Sequence, residues 1–141
     1  MISSKDVVTM KIPYPDIHSG LAMVKHMYIC KIHENHFFEM IKCQTYKPNI
    51  VKNYVKHYWI EERNPERNPF VKQQTLIDCD KTFCLQNIII DNSLKTTIRS
   101  NVCDVLFSEI IKKLTEHNYI KEYVDEDITI SINKKGVNKF G

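Results

Sequence analysis

The chain has 141 residues, 43% of them apolar and 26% charged, with a formal net charge of +3. That length holds one domain with its own core, and the composition is that of an ordinary globular protein rather than a disordered or fibrous one. No run approaches the roughly 18 apolar residues of a membrane span. Met1-Ile2-Ser3-Ser4-Lys5-Asp6 lacks the apolar stretch of an export signal, so a cytoplasmic location without membrane association is expected.

The 5 cysteines (Cys30, Cys43, Cys79, Cys84, Cys103) are scattered, without a Cys-x-x-Cys pair, and most lie in apolar runs. Buried reduced thiols are expected rather than disulfides. The 6 histidines show no zinc-ligand spacing, so neither a metal nor a cofactor is expected. Lys42, Lys47, Lys52, Lys56, Arg63, Arg67 and Lys72 make the middle of the chain basic, whereas Glu122 and Asp125-Glu126-Asp127 make its end acidic. A basic stretch suits an acidic partner such as RNA, and equally a solvated surface.

Residues 6–12 read as a strand stopped by Pro13-Tyr14-Pro15, and residues 13–21, with Asp16, Ser19 and Gly20, as a loop. Residues 22–32 and Phe37–Gln44 read as the two strands of a hairpin across His33-Glu34-Asn35-His36. From Asn49, read as the N-cap, Ile50, Val51, Tyr54, Val55, Tyr58 and Trp59 recur at helical spacing and predict about three turns. Tyr54, Tyr58 and Trp59 fit core packing, or a surface for stacking nucleobases.

The stretch Arg63-Asn64-Pro65-Glu66-Arg67-Asn68-Pro69 is a loop. Gln73–Asp78 and Phe83–Asp91 read as strands, with Ile88-Ile89-Ile90 central, and Leu94–Ile98 as another. Ser100 or Asn101 opens a second helix with the apolar stripe Val102, Leu106, Ile110 and Leu114, and Asp104 is placed for its first turn. Asp127–Ile132 reads as a further strand before a frayed Lys/Asn/Gly tail. Strands outnumber helices and no βαβ alternation is visible, which gives a β-rich α+β class. A single domain, 1–141, is expected, with a core over 6–118 and a C-terminal extension over 119–141.

The order of these segments resembles the MazF/PemK-like family of bacterial ribonuclease toxins. The carrying residues are the turn Ile12-Pro13-Tyr14-Pro15-Asp16 and Lys25-His26-Met27-Tyr28-Ile29, where the family has an Arg-Pro pair. They continue with the Thr-bearing strand Ile41-Lys42-Cys43-Gln44-Thr45 and the late segment Ile90-Asp91-Asn92-Ser93-Leu94-Lys95-Thr96. The match spans roughly residues 6–115. It departs from the family in lacking the Arg-Pro and most glycines, and residues 49–75 form a longer insertion.

The resemblance implies an SH3-like small barrel with an inserted helix and a C-terminal helix. It also implies a homodimeric toxin-antitoxin endoribonuclease that cleaves single-stranded RNA without metal and is neutralised by an antitoxin. Such cleavage needs a base for the 2′-hydroxyl, an acid for the leaving oxygen, and cations for the charged phosphorane. On this reading Lys25 supplies fixed charge, His26 or His18 shuttles protons, and Thr45 bonds a phosphate oxygen. Lys42 and Lys47 bind the RNA, and Asp91 and Lys95 line the far edge of the groove.

Each residue also has a plain structural reading: a strand-end lysine, a sheet-surface histidine, a β-favouring threonine, and a turn at Asp91-Asn92-Ser93. The alternative function is a non-catalytic RNA- or protein-binding module on the same fold, such as a phage or mobile-element counter-defence protein. A third reading is a structural component of a larger assembly.

Overall fold

The structure is a computed structural model in which residues 1–15 and 24–141 are described. Its main sheet has 7 strands: β1 (Val7–Met10), β2 (His26–Glu34), β3 (Phe37–Thr45), β4 (Tyr58–Glu62), β5 (Gln74–Asp78), β6 (Lys81–Leu85) and β8 (Ile120–Tyr123). The order runs β1-β2-β3-β5-β4, and the first half of β3 pairs with β6, which carries β8 in parallel on its far side. Every other pairing in the sheet is antiparallel. A second, two-stranded ribbon joins β7 (Ile88–Ile90) to β9 (Val137–Lys139). The protein is therefore α+β and strand-rich, and the pairings among the described residues leave the sheet open. No described helix is long and apolar enough to cross a membrane.

Strand alternation gives the sheet two different faces. On one face, Val7, Ile29, Ile41, Cys43, Ile77 and Cys79 pack against Leu106, Ile110 and Leu114 of α2 (Asp104–Glu116). On the other, Val8, Met10, Tyr28, Phe38, Met40 and Phe83 pack beneath Ile88, Ile90 and Val137 of the ribbon. Burying each of the valine, leucine, isoleucine, phenylalanine and methionine side chains among them contributes roughly 1.5–3 kcal/mol. The hairpin closes more tightly than expected: β2 runs to Glu34 and β3 starts at Phe37, with Asn35 and His36 both at positive φ (46° and 64°). That is the two-residue turn whose twist matches the flanking strands. A bulge at Lys31 shifts the register of β2, so that His33 pairs with and stacks on Phe38, ring centres 4.0 Å apart.

Four local expectations are corrected. The three-turn helix from Asn49 is only α1 (Pro48–Asn53), with Pro48 in its first turn and Lys47, not Asn49, at the N-cap. Tyr58 and Trp59 instead belong to β4, because pairing with β5 and packing of Trp59 toward α2 outweigh helical spacing in sequence. Leu94–Ile98 is not a strand: Asp91 caps a 3-10 turn over Asn92–Leu94, and only Lys95 bridges to Val8. Asp127–Ile132 is not a strand either but lies within α3 (Glu126–Ile132). The Asp125 carboxylate accepts from the Ile128 N–H at 2.8 Å there, and acidic side chains occupy the first turn.

The second helix opens later than Ser100 or Asn101. Cys103 is its N-cap, and Asp104 pairs with Lys5 at 2.9 Å. The tail is not frayed, since Val137 on β9 is fully buried in the core.

Candidate functional site

The apolar face under the ribbon turns polar at one end. Along β3, the alternation that buries Phe38 and Met40 continues as Lys42 and Gln44. Lys42 stands opposite Tyr28 on β2, Asp78 ends β5 directly after Ile77, the partner of Cys43, and Lys81 follows on β6 two residues before Phe83. Three strands thus bring Lys42, Gln44, Asp78 and Lys81 to one floor. Above it opens a cavity of about 570 Å³, walled by Tyr14, Pro15, Phe83 and, from α1 and the residues after it, Ile50, Asn53, Tyr54 and Val55. Tyr14 meets Phe83 edge-on, ring centres 5.1 Å apart.

Asp78 is only 2% exposed and Lys42 only 6%. Gln44 Nε2 donates to Asp78 Oδ1 at 3.2 Å, and Lys81 Nζ lies 4.0 Å from Asp78 Oδ2 and 2.9 Å from Asp80 Oδ1. Burial pushes the Asp78 carboxyl up to about 6, against the opposing pull of Lys81 and Lys42 and with help from Asp80. Burial also lowers the Lys42 ammonium below its ordinary value, as does Lys81, while Asp78 works the other way. Burial alone would lower Lys81 too, but the bond to Asp80 and the charge of Asp78 hold it above the ordinary lysine value. The floor therefore combines a carboxyl that exchanges protons near neutrality, an ammonium that gives one up more readily than usual, and a second ammonium fixed in charge. Such opposed shifts in one cavity suit acid–base chemistry, and buried ion-pair networks also produce them.

The residues expected to be catalytic lie next door. Lys25, His26 and Thr45 line a smaller cleft of about 190 Å³ together with Lys72 and Thr75. Gln44 borders both openings, and Lys25 also borders a third, of about 310 Å³, that reaches Lys95. His26 is half-buried; burial and Lys42 push its imidazole down to about 4, which keeps it neutral, and its buried Nε2 has no hydrogen-bond partner among the described residues. A neutral ring with an open nitrogen can accept or donate one hydrogen bond but cannot carry charge at neutral pH.

The expected binding residues divide. Lys42 is on the cavity floor, while Lys95 edges the third cleft and is paired with Asp6 at 3.2 Å. Lys47 is exposed ahead of α1 and lines none of these openings. Asp91 is exposed and accepts from the Ser93 N–H at 2.7 Å, which holds its carboxyl below the usual range; its role there is to cap the 3-10 turn. His18 lies outside the described residues.

Asp78, Lys81 and Gln44 escape the sequence reading. The available signal was a charge at an inward position: Asp78 follows Leu76-Ile77 at the end of β5, and Lys81 opens the buried β6. A second buried carboxylate, Glu39, lies on the α2 side of the sheet. Thr82 Oγ1 donates to it at 2.8 Å, and Lys31 and Lys121 approach within 3.6 and 3.8 Å. Its charge is thus matched by lysines of its own, away from the cavity. No group of three or more metal-ligating side chains occurs among the described residues.

No match was found when the chain was compared with protein-family models, with curated proteins and with solved structures.

Proposed function

We propose that the protein is a metal-independent endoribonuclease that cleaves single-stranded RNA at the Lys42–Asp78–Lys81 floor. The observation that carries this reading is Asp78, a carboxyl pushed up to about 6 by burial between two lysines under an open cavity. In the reaction, the Asp78 carboxylate takes the proton of a ribose 2′-hydroxyl. The 2′-oxygen forms its bond to phosphorus, and the bond from phosphorus to the 5′-oxygen breaks. Lys42 gives its proton to that departing oxygen, leaving a 2′,3′-cyclic phosphate and a 5′-hydroxyl. Lys81 stays charged throughout and offsets the negative charge that builds on the phosphorane.

Lys25, Lys72 and Lys95, along the adjoining clefts, hold neighbouring phosphates, with Thr45 and His26 as hydrogen-bonding groups beside them. The likeness to MazF/PemK toxins in segment order supports the same reaction class. With it come, as parts of this proposal, an SH3-like fold, a homodimer, an antitoxin partner and a cytoplasmic location.

The test is cleavage of a single-stranded RNA oligonucleotide in excess EDTA. Products ending in 2′,3′-cyclic phosphate, none from the all-deoxy oligonucleotide, and a loss of about 10²-fold or more in kcat for Lys42→Gln are expected. RNA that binds the protein but survives at all enzyme concentrations would reject catalysis and favour the non-catalytic binding module.

A further inference from the structure

The cavity has two chemically distinct halves, and the proposed chemistry occupies only one. The floor is charged, whereas the walls include Ile50, Val55, Tyr14 and the ring of Tyr54. Tyr54 is 70% exposed, an unusual position for a large aromatic side chain that lines a cavity. Its neighbours in sequence find other uses: Trp59 packs toward α2 and donates to Glu61 at 3.1 Å, and Tyr58 pairs opposite Asp78.

The backbone holds Tyr54 in place. It ends α1, with its N–H donating to the Ile50 carbonyl at 2.8 Å, and Asn53 beside it is tied by its side-chain amide to the Asn49 carbonyl at 2.9 Å. An aromatic ring beside a cationic floor matches a nucleotide, with the base against the ring and the phosphate below. Stacking on an aromatic side chain contributes about 1–3 kcal/mol per base and tolerates any base, because each has a π-face.

We infer that Tyr54 is the platform on which the nucleobase next to the scissile phosphate stacks. This rests on the proposed ribonuclease reading, because the phosphate is what positions the base. Most of the strand's affinity comes from its phosphates, and Tyr54 sets how one particular nucleotide is presented to Asp78. Because the ring projects from the surface, its replacement leaves the core intact.

The experiment measures binding of a 2′-O-methyl oligonucleotide, which cannot be cleaved, by fluorescence anisotropy, alongside cleavage of the matching RNA. Tyr54→Ala should weaken binding about 5- to 150-fold, the equivalent of one lost stack. Tyr54→Phe, which keeps the ring, should recover most of that loss. A series of oligonucleotides with one abasic position each adds a double-mutant cycle. At one position, next to the cleaved bond, the wild type should lose affinity while Tyr54→Ala loses nothing further.

Binding by Tyr54→Ala within twofold of wild type, or a loss shared equally by Tyr54→Phe, would overturn the inference. Wild-type cleavage alongside that result leaves the ribonuclease reading standing, so the platform alone is rejected. A wild type that neither binds nor cleaves rejects both.

Discussion

Strand β3 presents two kinds of side chain to two kinds of environment, and the contrast between them explains the molecule. On one face Ile41 and Cys43 are covered by Leu106, Ile110 and Leu114 of α2, a contact between apolar surfaces with no titratable role. On the other, Lys42 and Gln44 sit beside Asp78 and Lys81 beneath a cavity. The same period-2 pattern builds both. What differs is the lid: a 13-residue helix closes the first face, whereas the ribbon and α3 cover only the Phe38–Met40 end of the second. Apolar packing and the charged cavity floor thereby lie on opposite sides of one strand.

Substitutions on the two faces should consequently have opposite signatures. Asp78→Asn should cut RNA cleavage by about 10²–10⁴-fold, the range expected for loss of a positioned acid–base group, while the protein remains folded by circular dichroism. Ile110→Ala, at 0% exposure under α2, should cost about 2–5 kcal/mol in denaturant unfolding and leave the rate per folded molecule unchanged. If Ile110→Ala abolished cleavage at full folding, or Asp78→Asn merely unfolded the chain, the division of labour would be wrong.

A smaller effect separates the floor from its neighbouring cleft. Lys25→Ala combined with Thr45→Ala should raise KM about 10-fold with little change in kcat, because on the proposed reading these groups hold the strand rather than transfer protons. A kcat loss matching that of Asp78→Asn would move the chemistry into the cleft of Lys25, His26 and Thr45.

The smallest effect concerns acid stability. His26 has its folded pKa depressed to about 4, so the folded state binds the proton more weakly than the unfolded chain. Its contribution is present above the unfolded value of about 6.5 and is lost as pH falls from there through about 4. Asp78 acts in the opposite sense: its folded pKa is raised, so its contribution is present below the unfolded value and fades as pH rises through about 6. His26→Gln should therefore lose less Tm than wild type between pH 6.5 and 4. An unchanged loss would show that His26 does not titrate in that window.

How much of this was legible in the sequence depends on the range over which the residues act. The hairpin of β2 and β3 announced itself through β-branched and aromatic residues on either side of a polar turn, and the apolar stripe of α2 through its 3.6-residue repeat. The α1–β4 region misled because Tyr58 and Trp59 owe their strand conformation to β5, a partner that lies beyond the Arg63–Pro69 loop. α3 misled for a different reason: its β-branched run Ile128-Thr129-Ile130 favours strand locally, yet the cap from Asp125 and burial of Thr129 hold it helical.

The site divides along the same line. Lys25, His26 and Thr45 were linked by segment order and do share a cleft. Asp78 and Lys81 become a site only through register, since nothing in the sequence says that Ile77 will pair with Cys43 and bring position 78 to the same cavity as position 42. Tyr54 was grouped with Tyr58 and Trp59 by spacing, and the break between α1 and β4 is what separates them.

The most direct measurement of the central claim is the pH dependence of single-stranded RNA cleavage in excess EDTA, for wild type and Asp78→Asn side by side. Wild-type kcat should rise with pH through an acid limb near 6 as Asp78 ionises, and fall at alkaline pH as Lys42 loses its proton. The Asp78→Asn rate should lie at least about 10²-fold lower and lack that acid limb. Absence of wild-type cleavage at every pH, or two profiles that superimpose, would contradict it.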